Sequence, residues 1–265
     1  MLKTKIGFIG AGNMAGAIIS GAISSGYIIP KHIYIYDINE TSISKLSGIG
    51  VNFSSCINDM CKCCEIIFLC VKPQVYSTIL PELAENIEKS TIVSIAAGKT
   101  IDYVKHHLKQ DTPVIRVMPN TPLLIGKGVT SVCASPEVNL ETLNIVTGLF
   151  SACGITIAIN ERDFDIATAA GGSLPAFVYR FIGAAVTAAV ERGLSESDAR
   201  LMVCNTVIGA AELAVRSDAP IDNMIALVAS PGGTTVAGLG ALDAHDFDKS
   251  VVDAVSAAYN RSKEL

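Results

Sequence analysis

Residues Lys5 to Asp37 constrain the fold more than any other stretch of the chain. Lys5–Ile9 reads as a buried strand and runs into Gly10-Ala11-Gly12-Asn13-Met14-Ala15, after which a helical stretch extends to about Ser25 and ends near Gly26. This is G-x-G-x-x-G/A at a strand-to-helix turn. The first glycine permits the tight turn, the second lets a pyrophosphate meet the helix N-terminus, and small Ala15 lets the helix pack on its strand. A second strand, Ile33–Tyr36, ends in Asp37, 25 residues beyond Gly12. That is near the spacing of the acid that reads the adenosine ribose of a dinucleotide. Asp37 also reads as a turn-initiating surface carboxylate. If it faces the ribose, it accepts from a free 2′-hydroxyl and repels a 2′-phosphate, so a lean toward NADH over NADPH is expected.

The alternation continues downstream. Strands are expected at Ile66–Val71, Thr91–Ile95, Val114–Met118, Thr130–Cys133 and Ile155–Ile159, with helices at Val75–Ile87, Ile101–Leu108 and Leu140–Ser151. Such a pattern implies a mainly parallel, doubly wound sheet with helices on both faces. Ligands of such sheets gather at strand ends. Val71-Lys72-Pro73, Ala96-Ala97-Gly98 and Met118-Pro119-Asn120 are therefore expected to rim the cofactor cleft beside Gly10, Ala11, Gly12, Asn13 and Met14.

From Asp163 onward the strand signal stops, which places a domain boundary near residue 162: 1–162 nucleotide-binding, 163–265 helical. A long helix is expected over Phe164–Glu191, interrupted at Gly171-Gly172-Ser173-Leu174-Pro175. Two glycines and a proline cost a helix on the order of several kcal/mol, so a break or kink that exposes backbone is expected there. Ser195 with Asp198 suits a capping-box variant for a helix to about Arg216. Further helices are expected at Asp222–Ala229, Thr234–Leu242 and Asp248–Arg261. Between two of them, Ser230-Pro231-Gly232-Gly233-Thr234-Thr235 is a glycine turn running into a helix N-terminus, whose free N–H groups can hold a carboxylate. By itself it also reads as a plain turn with an N-cap.

Composition removes several alternatives. A net charge of −5 without a basic run speaks against nucleic acid as a partner. Ile6 to Pro30 lacks any charged residue, yet seven interruptions by Gly or Asn suit the turn-helix reading better than a signal peptide or membrane span. A cytoplasmic protein without membrane contact is expected. Only 17% of residues are charged and half are apolar, so the chain is expected to bury surface against copies of itself. Of eight cysteines, Cys61 and Cys64 form C-x-x-C, but no second ligand pair follows at suitable spacing, so no metal is expected. No lysine occurs between Lys127 and Lys249, and the four histidines suit surface or strand-end positions. The chemistry must ask the protein for positioning more than for a strong acid or base.

Together these stretches resemble the pyrroline-5-carboxylate reductase family over essentially the whole chain. The resemblance is carried by Gly7 to Met14, Val71-Lys72-Pro73, Ser94 to Gly98, Arg116 to Pro122 and Ser230 to Thr235. It implies NAD(P)H-dependent reduction of the cyclic imine 1-pyrroline-5-carboxylate to L-proline. It also implies a Rossmann domain followed by an all-α dimerisation domain, assembled as a homodimer or a ring of dimers. Substrate contacts would come from Gly172, Ser173, Gly232, Gly233, Thr234 and Thr235. The carboxylate would rest on the N–H groups of Gly233, Thr234 and Thr235, with the catalytic Thr235 hydroxyl on the ring nitrogen. Asn58 matches an asparagine near the adenosine side of the cofactor. A related hydroxyacid dehydrogenase would need a lysine on the long helix, which this chain lacks.

The chain also departs from the pattern. Gly171-Gly172-Ser173-Leu174-Pro175-Ala176-Phe177 stands where the family usually has Ser-Gly-Ser-Gly-Pro-Ala-Tyr, and Met224-Ile225-Ala226 replaces a charged stretch. Leu174 in place of glycine would narrow the pocket, shift the substrate toward another cyclic imine, or leave a non-catalytic nucleotide-binding paralogue.

Overall fold

The computed structural model describes residues 2–265. Its first part alternates β1 (Ile6–Ile9), α1 (Asn13–Ser24), β2 (Ile33–Tyr36), α2 (Glu40–Ser44), β3 (Asn52–Phe53), α3 (Ile57–Cys63) and β4 (Ile66–Leu69). It continues through α4 (Tyr76–Asn86), β5 (Thr91–Ser94), α5 (Ile101–His107), β6 (Val114–Met118), β7 (Gly128–Ala134), α6 (Leu140–Ser151) and β8 (Gly154–Ala158). Among the described residues the strands form one eight-stranded sheet, ordered β3-β2-β1-β4-β5-β6-β7-β8. Every pairing is parallel except β6 with β7. A parallel connection needs a crossover of a dozen or more residues. Between β6 and β7 only the short 3-10 turn Thr121–Ile125 intervenes, so the chain can only reverse.

Strand alternation sorts the core into two layers. Phe8 and Phe68 lie on one face with α1 and α6, their rings stacked with centroids 4.7 Å apart and Phe150 6.1 Å from Phe68. Ile9, Ile67 and Leu69 face the other way, onto α3, α4 and α5. The sheet is thus covered on both sides, the doubly wound α/β arrangement expected from the sequence. Short α2, β3 and α3 were not expected, being too brief to leave a periodic signal. Cys61 and Cys63 consequently lie on a helix.

The second part comprises α7 (Phe164–Ala167), α8 (Leu174–Val190), α9 (Glu196–Arg216), α10 (Ile221–Val228), α11 (Thr234–Ala244) and α12 (Phe247–Lys263). The expected break or kink takes the form of a π-helical turn, not a gap between helices. Thr168–Ser173 is π-helical and carries the chain into α8 without interruption. The physical reason lies in Pro175, which has no N–H to donate to the Gly171 carbonyl four residues back and whose ring would collide with it. A π-helical turn opens that register. Ser195 caps α9 as expected, its hydroxyl accepting the Asp198 N–H at 3.1 Å.

By contacts the chain forms two compact units. The first runs to Ser173 and takes in Ala258–Leu265, and the second is Leu174–Ala257. In the first, the buried Ser262 hydroxyl donates to Asp165 Oδ1 at 2.8 Å and Lys99 Nζ donates to the Leu265 oxygen at 2.9 Å. The helical run Glu161–Val190 is long and apolar enough to cross a membrane by length and composition alone.

Candidate active site

The glycine turn is built by backbone geometry and one carboxylate. Gly10 has φ +100°, a left-handed conformation that residues with a Cβ rarely adopt, and donates its N–H to the Tyr36 carbonyl at 2.8 Å. Asp37, at the end of β2, accepts the Ala11 N–H at 2.6 Å with one oxygen and the Asn39 N–H at 2.8 Å with the other. Asp37 therefore fixes the turn. Each oxygen keeps a lone pair for a further donor.

At α1 no side chain caps the helix, and Gly12 has extended rather than helical dihedrals. The first N–H groups of the helix are left for a ligand. A Cβ on Gly12 would meet nothing within 4 Å, so the space in front of those N–H groups is open. Exposed Gly12 and Asn13, with half-buried Met14, form its floor. These residues fit the pyrophosphate of a dinucleotide. Asn58, half-buried in the first turn of α3, follows β3, the strand next to β2.

Because β1, β4, β5 and β6 run parallel, their carboxyl ends open on the same edge of the sheet. Val71-Lys72-Pro73, Ala96-Ala97-Gly98 and Met118-Pro119-Asn120 accordingly line up beside Gly10. Two side chains that sequence reasoning did not single out, or gave another role, hold this rim. Tyr76, fully buried on α4, donates its hydroxyl to the Leu69 carbonyl at 3.1 Å and lies 3.0 Å from Ser94 Oγ. It ties the ends of β4 and β5 together, and its burial pushes the phenol pKa upward. Asn120, also buried, uses both ends of its amide. Nδ2 donates to the Gly171 carbonyl at 3.0 Å and Oδ1 accepts the Val129 N–H at 2.9 Å.

The first of those bonds supplies the donor that Pro175 denies Gly171. It also joins the β6 loop to the π-helical turn that carries Gly172 and Ser173. Gly172 packs against the Met118 side chain, where a Cβ would come within 2.8 Å of its methyl. A third anchor lies below. Arg116, 3% exposed, donates to Glu161 Oε1 at 3.1 Å and stacks over the Phe164 ring at 4.6 Å. The same Glu161 oxygen accepts the Ile101 N–H at 2.7 Å.

None of the buried thiols on this side is activated. Desolvation pushes Cys61 to about 11 and Cys133 to about 12, and raises Cys64 and Cys70 further. At neutral pH all four are protonated and poor nucleophiles.

In the second unit, Gly232 has φ +72° and closes the turn that precedes α11. Gly233 sits at the N-cap with extended dihedrals and no side-chain cap. Its own N–H donates to the Ser230 carbonyl at 2.9 Å, so of the three amides expected to hold an anion, one is spent on the turn. Those of Thr234 and Thr235 remain, with the hydroxyl of half-buried Thr235 beside them.

A doubly wound sheet with an open, uncapped glycine cradle at its first crossover defines an NAD(P)-binding oxidoreductase. Residues 5–98 match the family model described as NADP oxidoreductase coenzyme F420-dependent, and 161–265 match Pyrroline-5-carboxylate reductase dimerisation. Pyrroline-5-carboxylate reductase of Escherichia coli K12 is 34% identical, over 100% of this chain and 99% of the relative. Pyrroline-5-carboxylate reductase 2 of Bacillus subtilis is also 34% identical, over 98% and 95%. Among solved structures, Plasmodium falciparum pyrroline carboxylate reductase with NADP bound superposes with a TM-score of 0.93. It is 32% identical and covers 100% of this chain and 98% of that one. The Streptococcus pyogenes 1-pyrroline-5-carboxylate reductase superposes at 0.90 with 32% identity, covering 98% of each chain. The chain belongs to the pyrroline-5-carboxylate reductase family, and its C-terminal part is a dimerisation domain.

Proposed function

We propose that this protein reduces 1-pyrroline-5-carboxylate to L-proline with NAD(P)H. The observation that carries the reading is the uncapped N-terminus of α11, with two free amides and the Thr235 hydroxyl, in a chain similar along its length to reductases of that name. Thr234 and Thr235 N–H groups hold the substrate carboxylate, an interaction worth roughly 0.3–2 kcal/mol that orients more than it accelerates. Thr235 Oγ1 hydrogen-bonds the ring nitrogen. The π-helical turn that carries Gly172 and Ser173, the other proposed substrate contacts, is held by Asn120 through the Gly171 carbonyl. When bound, the reduced nicotinamide supplies a hydride to the imine carbon, and the nitrogen carries the proton of the iminium form. Alignment of donor and acceptor then does most of the work, which suits a helical domain without lysine at its centre.

The cradle residues Gly10 to Met14, with Asn58 and the three rim loops, bind the dinucleotide. Asp37 gives a lean toward NADH, although the Plasmodium relative was solved with NADP. The helical domain, from about residue 163, covers its apolar helices with a second copy, which accounts for the membrane-like composition of Glu161–Val190 and suits a cytoplasmic protein.

Steady-state assays with pyrroline-5-carboxylate and each reduced cofactor test the reading directly. Proline formation with higher kcat/KM for NADH is expected. Absence of proline from protein with cofactor demonstrably bound would point to a non-catalytic paralogue, and preference for another cyclic imine would move the substrate. Equal or higher kcat/KM with NADPH would remove the ribose role from Asp37.

A further inference from the structure

The two edges of the sheet are treated differently. An edge strand offers unpaired N–H and C=O groups to any other chain, and proteins blunt such edges by shortness, charge, proline or cover. β3 is blunted: it has two residues, and Asn52 Nδ2 turns back onto the Lys31 and Ile33 carbonyls at 2.8 and 3.1 Å. β8 is not. Gly154-Ile155-Thr156-Ile157-Ala158 has five residues without charge or proline, and Ile155 and Ile157 are 58% and 45% exposed.

The direction of its free groups follows from the flanking bonds. The Cys153 carbonyl accepts the Gly128 N–H, and the Ile159 N–H donates to the Val132 carbonyl, both at 3.0 Å. Odd-numbered residues therefore spend their backbone groups on β7, while Gly154, Thr156 and Ala158 aim theirs at the open edge. The strand also reads nearly the same in both directions about Thr156: small, Ile, Thr, Ile, small. A two-fold contact requires such self-complementarity, because the same patch must meet itself.

We propose that β8 pairs antiparallel with β8 of a second copy, Thr156 opposite the partner's Thr156, joining two sheets into one. Gly154 then faces the partner's Ala158, and about six backbone hydrogen bonds form, two from each of three facing pairs. Ile155 meets the partner's Ile157 on the exposed face, closing four isoleucines into one apolar cluster. A second copy is the occupant because the segment matching the dimerisation family begins at residue 161, directly after β8 ends at Ala158. The chain enters its established self-association region from this strand.

Cross-linking tests the register. Opposed residues of a hydrogen-bonded pair have Cα atoms about 5.5 Å apart, within disulfide reach. Thr156→Cys should give a covalent dimer under mild oxidation, with the wild-type chain and its native thiols as the background. Ala158→Cys, about 14 Å from its counterpart in this register, should not. Hydrogen exchange of the unmodified protein supplies a second reading: the Thr156 amide should exchange at least tenfold more slowly in the dimer than in a dilute monomeric fraction. No cross-link at Thr156→Cys in protein that light scattering shows to be dimeric would overturn the pairing. Equal cross-linking at Ala158→Cys, or fast Thr156 exchange in the dimer, would do the same.

Discussion

Between β1 and Phe164 the protein buries most of its isoleucines and phenylalanines; between Leu174 and Ala257 it buries none of them. The sheet unit holds two apolar layers, with Phe8, Phe68, Phe150, Ile18 and Leu80 essentially inaccessible. In Leu174–Ala257 only Ala199 is buried, while Leu213, Leu227 and Val228 are 64%, 86% and 68% exposed in the single chain. Exposed apolar area on this scale marks an interaction surface. The sheet unit closes its own core, whereas the helical unit, part of a dimerisation domain, leaves apolar surface for another copy to cover. The proposed dinucleotide cradle lies within the self-sufficient unit, and the proposed carboxylate turn within the dependent one.

The strongest way to break the comparison is to charge the helical surface. Leu213→Lys with Leu227→Lys should drive the protein to monomers, because a buried unpaired ammonium is heavily penalised. A loss of about 3 kcal/mol in association corresponds to more than a hundredfold in dimer affinity. Activity and helical circular dichroism should fall together, while dinucleotide binding by the sheet unit survives. Retained dimerisation in sedimentation would mean that these residues face solvent.

Thr235→Ala probes the dependent unit without disturbing its fold. Loss of a hydrogen bond to a charged group, about 1.5–3 kcal/mol, should reduce kcat/KM roughly 10- to 100-fold with an unchanged melting temperature. A drop confined to KM would place the hydroxyl on the carboxylate rather than the nitrogen.

Tyr76→Phe makes the corresponding cut in the self-sufficient unit. Leaving the Leu69 carbonyl and Ser94 hydroxyl without their partner should cost about 1–3 kcal/mol of stability. Dinucleotide affinity should weaken with it, since two rim loops lose their common tie. Calorimetry and dinucleotide titration on one sample read both.

Leu174→Gly should destabilise the helical unit by about 1 kcal/mol, the ordinary difference for glycine within a helix. Leu174 is the first residue of α8 and 37% exposed, so kcat/KM should change less than threefold, by the scale on which that ratio is about 0.65 kcal/mol. A larger gain would show that the leucine narrows the pocket.

The smallest effect lies within the sheet unit. The ammonium of Lys105, 2.8 Å away, holds the Glu137 carboxyl at about 2, below its ordinary 4.5. A depressed carboxylate pKa contributes stability above the ordinary value and loses it as pH falls through the folded one. The wild-type melting temperature should therefore decline between about pH 4.5 and 2 more steeply than that of Glu137→Gln. Parallel curves would assign the acid sensitivity elsewhere.

Much of this architecture was legible from residue order because its signals are local. β2, β6 and α6 begin and end where hydrophobic pattern and turn residues place them. Gly10 and Ser195 declare a turn and a cap through chemistry within a few residues of themselves. Tyr76 gave no such sign: its hydroxyl acts between the ends of two strands, one of them 18 residues away. Asn120 was read as part of a rim, but its partners, Gly171 and Val129, come from a helix and a strand distant in sequence or direction. The π-helical form of the interruption at Gly171–Pro175 was not legible for the same reason, since the donor replacing the missing proline N–H comes from Asn120, 51 residues earlier.

The sequence alone determined the alternating sheet, the glycine turn that ends β1, the helical second half and the glycine turn before α11, since each is written in neighbouring residues. Tertiary structure decided what fills the gaps. It showed Asp37 holding the turn, the Gly233 amide spent on Ser230, the π-helical passage into α8, and the reversal at β7 that leaves β8 as an open edge. Each depends on which groups are left unpaired once distant segments meet, and backbone polar groups must find partners wherever the fold puts them.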